Sequence, residues 1–197
     1  MKKSIIILTI TFISLWGCST SSDQADKAQA SIDTVLYDNR LPEQPTKTVI
    51  NFLTWYKDNY ESISSIQLII WGNDDTTIPY SVDTIGTKEY LDYFNKSGFV
   101  SDKYIRDWTD YFSERQQYFE ENLEYDGPPS GFEFDFVLLT QEYDKTLAAI
   151  DNPKLINIEI KESRAIVKID IMKRLSFTLT KSTDRWLIDH IDNLGLE

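Results

Sequence analysis

From Leu155 to Asp192 apolar and polar residues alternate in four consecutive runs, and a period of two held that long commits this part of the chain to strands. Ile156, Ile158 and Ile160 make the first set, and Ala165, Val167, Ile169 and Ile171 the second. Leu175, Phe177 and Leu179 make the third, and Trp186, Ile188 and His190 the fourth. The connections are short and polar: Glu162-Ser163, the neighbourhood of Lys173, and Lys181 to Asp184. The expectation is an antiparallel meander with one apolar face that needs a cover.

The stretches upstream supply amphipathic helices for that cover, so the fold class is α+β. Pro42 and Pro45 punctuate the chain, and Thr46 is placed to cap a helix in which Val49, Phe52, Leu53, Tyr56, Tyr60 and Ile63 recur at helical spacing. Ile66 to Trp71 reads as a short extended segment, closed by the loop Gly72 to Asp75. A second helix is expected from Thr87 to Ser97, with Tyr90, Leu91 and Phe94 inward and Gly98 as its stop. A third starts from Ser101 and carries Ile105, Trp108, Phe112, Phe119 and Leu123 on one face. Gly127-Pro128-Pro129-Ser130-Gly131 breaks regular structure. The alternation Phe132-Glu133-Phe134-Asp135-Phe136 then predicts a first strand running to Leu139, followed by a short helix from Gln141 to Ile150.

The N-terminus reads as an address. Lys2 and Lys3 precede an apolar run, Ile5 to Leu15, of 11 residues, well short of the roughly 20 that span a bilayer. Leu15-Trp16-Gly17-Cys18 resembles the bacterial lipobox, with Trp16 bulkier than usual, and Cys18 is the chain's one cysteine. A sole exported thiol forms no internal disulfide, and lipidation removes its reactivity. The resemblance implies a signal peptide over residues 1–17 and an acylated Cys18 that holds the chain on a membrane. Ser19, in place of aspartate, implies the outer membrane of a bacterial cell envelope. Residues 18–41 are Ser-, Asp-, Gln- and Ala-rich and read as a flexible tether, with Ile32, Val35, Leu36 and Tyr37 a modest apolar patch. Its coil reach is roughly 25 Å. Residues 42–197 are left for one folded domain.

Charge narrows the partners. Without Lys2 and Lys3, 18 basic residues face 32 acidic ones, a net charge of −14. That repels polyanions, and basic clusters such as Lys173-Arg174 are only two residues long, so nucleic-acid binding is not expected. A basic protein partner would be attracted.

Four segments carry a family resemblance: Thr48 to Tyr56, Gly98 to Tyr104, Asp135 to Tyr143 with its Gln141-Glu142-Tyr143 ending, and Asp184 to Ile191 with Trp186-Leu187-Ile188-Asp189. In this order they resemble a family of unknown function among secreted bacterial members of the nuclear transport factor 2-like fold, also called cystatin-like or SnoaL-like. The resemblance covers about Pro45 to Ile191. It implies a curved antiparallel sheet wrapped against helices as a cone with a cavity at one end, and it implies no activity.

Enzymes of that fold, such as steroid isomerases and dehydratases, place a carboxylate or a His-Asp pair in the cavity as general base. Two residues are candidates here. His190, the one histidine, shares the expected face of Trp186 and Ile188, while Asp189 points the other way and does not orient it; a partly exposed edge histidine is the simpler account. Asp135 lies between Phe134 and Phe136, where an acid is costly unless paired or functional, although outward alternation explains it more simply. Tyr56, Tyr60, Tyr143 and Trp186 are candidates to line the cavity mouth for a sugar, peptide or lipid, with core packing as the plainer alternative. Asn73 to Thr76 offers oxygen ligands without the spacing of a calcium loop. Zinc finds no adequate ligand set, and no serine sits in a nucleophile elbow. No metal or cofactor is expected. The reading favours a membrane-anchored binding protein for a small ligand, glycan, peptide or envelope protein. The alternatives are a lyase- or isomerase-type enzyme using Asp135 or His190, and an acidic inhibitor or immunity-type lipoprotein.

Overall fold

The computed structural model of the chain describes residues 44–71 and 78–195. The signal peptide, Cys18, the tether and the Asn73 to Thr76 loop lie outside them.

Helix α1, Pro45–Asp58, starts on a proline at its first turn, where the missing N–H costs nothing. Gln44 occupies the N-cap without a side-chain bond, so Thr46 is not the cap; it is buried within the helix. Val49, Phe52, Leu53 and Tyr56 form the buried stripe. Phe52 meets Phe94, Phe99 and Phe177 at centroid distances of 6.3, 6.1 and 6.4 Å. The helix stops at Asn59, whose Nδ2 donates to the Trp55 carbonyl at 2.7 Å and whose Oδ1 accepts from the Tyr93 hydroxyl at 3.1 Å. A short helix α2, Tyr60–Ser64, continues at once.

Strands β1, Ile69–Ile70, and β2, Ser81–Val82, form a small antiparallel pair. Helix α3, Thr84–Ser97, begins three residues earlier than its apolar spacing suggests, because Asp83 caps it by accepting from the Ile85 and Gly86 amides, each at 2.9 Å. Gly98, at φ 72°, ends it in the left-handed conformation. Ser101 caps helix α4, Asp102–Glu121, through its Oγ and the Tyr104 amide at 3.3 Å. Because α4 ends at Glu121, Leu123 leaves the helical face and is 58% exposed.

The expected strand from Phe132 to Leu139 does not form; the segment is a succession of turns. Helix α5, Tyr143–Ala149, follows it, and then four antiparallel strands in sequence order: β3, Lys154–Lys161; β4, Arg164–Asp170; β5, Arg174–Ser182; and β6, Arg185–Asn193. The mixed α+β class and the meander are as the periodicity suggests. Tight links carry Glu162, Met172 and Thr183 at positive φ of 56, 67 and 54°. Strand β5 runs on to Ser182, so the last link is only Thr183-Asp184.

Two bulges alter the faces. In β3 the register shifts between Leu155 and Asn157, so Ile156 is the extra residue and is 47% exposed while Leu155 and Ile158 are partly buried against the core; Ile160, on the face of Ile158 near the strand's end, is 51% exposed. In β6 the shift falls where Thr178 pairs with His190 and Leu179 with Ile188, so Asp189 is the extra residue. Beyond it the alternation is reversed: Trp186, Ile188 and Ile191 are buried and His190 is exposed. Asp189 is buried, and the Thr180 hydroxyl donates to it. The outer side of β6 is occupied by the α3–α4 link, with Ser101 N donating to Ile188 O and Ile188 N to Phe99 O, each at 2.9 Å. Helix α1 packs on β4 and β6, and α4 on β2 and β6.

Candidate functional site

A cavity of about 740 Å³ opens among the C-terminal end of α1, α2, β1 and the turn segment 128–143. Its size falls in the range of small-molecule sites. Tyr56, Tyr60 and Tyr143 form one wall. Tyr56 meets Tyr60 edge-on at 5.7 Å and 85°, and Tyr60 stacks on Tyr143 at 5.4 Å and 28°. Ile63, Ile66, Leu68 and Ile69 make a second wall from α2 and the strand after it. Phe132, Phe134 and Phe136 make a third. Asp135 and Glu133 are the acidic groups on the lining, and among the described residues no lysine, arginine or histidine contributes to it.

Asp135 closes the turn segment on itself. Its Oδ1 accepts from the Val137 amide at 2.9 Å and from the Leu138 amide at 2.6 Å, while its backbone carbonyl accepts from Leu139 N at 2.8 Å. The alternating phenylalanines therefore do not extend: a side-chain acceptor two and three residues upstream competes for the amides a strand would use. Leu139, at φ 51°, completes the reversal. The other carboxylate oxygen, Oδ2, accepts from the Tyr56 hydroxyl at 2.5 Å and ties the turns to α1.

These contacts decide what Asp135 does. A carboxylate offers about four acceptor positions, and three are filled. Burial pushes its pKa above the ordinary carboxylate range, and the Leu138 amide, the Tyr56 hydroxyl and the Val137 amide draw it part of the way back. Burial, reinforced by the Asp135 charge, raises the Tyr56 phenol well above its usual value and raises Tyr60 likewise. Tyr56 is thus a neutral donor, and its proton points at a carboxylate.

The turn segment is itself held by neighbours. Tyr111 donates to the Gly131 carbonyl at 2.6 Å, Tyr80 to the Gly127 carbonyl at 2.9 Å, and the Gly131 amide to Glu133 Oε2 at 2.7 Å. Gly131 sits at φ 89°, and an added Cβ would approach Tyr111 and Arg115 to 2.7 Å. Its lack of a side chain lets α4 approach.

The structure gathers Asp135, Tyr56, Tyr60 and Tyr143 around one cavity and leaves the other two candidates elsewhere. Trp186 is buried in the sheet and does not line the cavity. His190 is half exposed on β6, with Nε2 3.0 Å from Asp192 Oδ1 and Nδ1 3.9 Å from Asp107 Oδ2. No residue of β3–β6 is among the lining residues. Sequence reading missed the wall made by Ile63 to Ile69 and by Phe132 and Phe134; the double proline and flanking glycines were the signal that this segment is shaped by turns.

Among the described residues no group of three or more His, Cys, Asp or Glu is placed to hold a metal ion, and no helix is long and apolar enough to cross a membrane. Comparison with protein-family models, curated proteins and solved structures returns no match to the chain.

Proposed function

We propose that this chain is a lipid-anchored envelope protein whose domain holds a small ligand in the tyrosine-walled cavity and does not transform it. The cavity beside Asp135 carries the reading: its apolar walls supply contact area, and its few polar groups fix orientation. The lipobox-like Leu15-Trp16-Gly17-Cys18 supports the anchor. A nuclear transport factor 2-like cone is part of the proposal, supported by the order of helices followed by a four-stranded antiparallel meander. Two features depart from the expected pattern: turns replace the strand at Phe132 to Leu139, and the cavity lies away from the sheet. A solved structure with a flat sheet would remove the cone.

One observation favours a catalytic alternative, the Asp135 carboxylate in the cavity wall with a phenol donor on it. Against it stand the two backbone amides on Oδ1, which give that group a structural task, and the fact that His190 is not among the lining residues.

Native mass spectrometry of the lipoprotein taken from its own membranes tests the reading. A small adduct retained by the wild type and lost on Tyr143→Ala is the expected result. A stoichiometric protein partner with no adduct would overturn it and favour an acidic inhibitor or immunity-type role, whose binding would weaken steeply with salt. For the anchor, a Cys18→Ser chain that stays fully membrane-bound after carbonate washing would sink lipidation.

A further inference from the structure

The charge and surface of the cavity select among ligands. An anion entering it would meet Asp135 and Glu133 with no basic side chain among the described lining residues, on a chain whose net charge is −12. Three polar groups on the wall are turned to the protein's own backbone: Gln67 Nε2 donates to Ile69 O at 2.9 Å, Ser65 Oγ to Ser62 O at 2.8 Å, and Ser64 Oγ to Glu61 O at 3.4 Å. The charged groups the cavity presents are carboxylates, and much of the remaining wall is aromatic ring surface. The half-exposed Tyr143, stacked on Tyr60, presents ring faces of the kind that attract cations, and Asp135 Oδ2 retains one acceptor position beside Tyr56.

We propose that the ligand of this cavity is a small organic cation, an ammonium group on an apolar body, with its charge against the Asp135 and Glu133 carboxylates and the Tyr60 and Tyr143 rings, and its body along the Ile66–Ile69 and phenylalanine walls. This deepens the pocket reading above and rests on it. The aromatic rings favour a weakly hydrated, alkylated cation, because it gives up little hydration on entry and gains both ring and carboxylate attraction.

The test titrates the purified full-length chain with phenyltrimethylammonium and with tert-butylbenzene, which has the same shape and no charge, following tyrosine and tryptophan fluorescence and ligand-observed NMR. The cation is expected to bind at least tenfold more tightly. Glu133→Gln and Tyr143→Ala are each expected to weaken it three- to tenfold while the melting temperature stays within about 2 °C of wild type, as for changes on partly exposed side chains. Asp135→Asn, which keeps an oxygen for the Val137 and Leu138 amides, is expected to erase most of the preference over the neutral analogue. Equal affinity for the two compounds would overturn the cation proposal and leave the pocket reading standing, as would cation binding indifferent to all three substitutions. Failure of both compounds to bind at millimolar concentration would overturn the two together.

Discussion

The hydroxyl of Tyr56, on the first helix, donates to Oδ2 of Asp135, 79 residues further along, at 2.5 Å. The bond joins the helical layer to a turn segment that has no ladder of its own, and it does so on the wall of the cavity. Tyr56→Phe removes the donor and leaves a part-buried carboxylate oxygen without it, a loss of about 1–3 kcal/mol in denaturant-unfolding free energy. A change below about 0.5 kcal/mol would mean that Oδ2 finds another donor and that the tie is dispensable.

Acid titration reads the same carboxylate. Because burial raises its folded pKa, native Asp135 holds its proton more tightly than the unfolded chain does. Its contribution to stability is fully present below the unfolded value of about 3.9 and is lost as pH rises through the folded value, since between the two the native state binds more protons. Asp135→Asn does not titrate there. The stability of wild type minus that of the variant should therefore shrink as pH rises from about 3.5 to about 7. Asp92 and Glu142, held below their usual values by Lys88 and Lys145, act in the opposite sense in both proteins and cancel. A difference that grows with pH would contradict burial as the dominant influence.

Helix α3 approaches the segment before β1 so closely that an ideal Cβ at Gly86 would lie 1.7 Å from the Gln67 carbonyl oxygen. Neither backbone has a rotamer with which to yield. Gly86→Ala is expected to cost about 3 kcal/mol or more, or to prevent folding, despite alanine's better helix propensity. Circular dichroism melts would show it, with Gly127→Ala as the comparison: nothing lies within 4 Å there, and only its φ of 79° is strained, at about 1 kcal/mol. Similar melting temperatures for the two variants would refute the close approach.

His190→Ala is expected to change stability by less than about 0.5 kcal/mol and to leave phenyltrimethylammonium binding unaltered. The side chain is half exposed, and its polar partners among the described residues are Asp192 and, at longer range, Asp107. Loss of binding would place a catalytic or ligand role back on this residue.

How far the chain could be read in advance depended on what fixes each segment. The helices α1, α3 and α4 and the strands β4 and β5 are set by periodic burial, which sequence displays. Parity counting sets His190 on the face of Trp186 and Ile188 because it assumes an unbroken ladder; one extra residue at Asp189 reverses every face beyond it and leaves His190 the partly exposed edge histidine of the simpler account. Phe132 to Phe136 alternate like a strand, yet Asp135 binds the Val137 and Leu138 amides locally. Alternation there places rings around a cavity. The three tyrosines of the site were legible as candidates, but their convergence depends on Asn59 ending α1 and turning Tyr60 toward Tyr143, and a helix-stop asparagine reads the same whether or not a cavity follows.

Every strand of the large sheet follows every helix in the sequence, and this order fixes when the domain can close. Phe52 finds Phe177 on its face, and α1 rests on β4 and β6, so until β6 has been synthesised the helical half has no floor. Completion of the core therefore waits until β6 has emerged, and the helical half stays open until then. Ribosome-bound chains arrested after Asp170 should accordingly be cut rapidly in α1 and α3 by protease, and chains carried past Asn193 with a linker should resist. Protection already present at Asp170 would show that the helices hold themselves together.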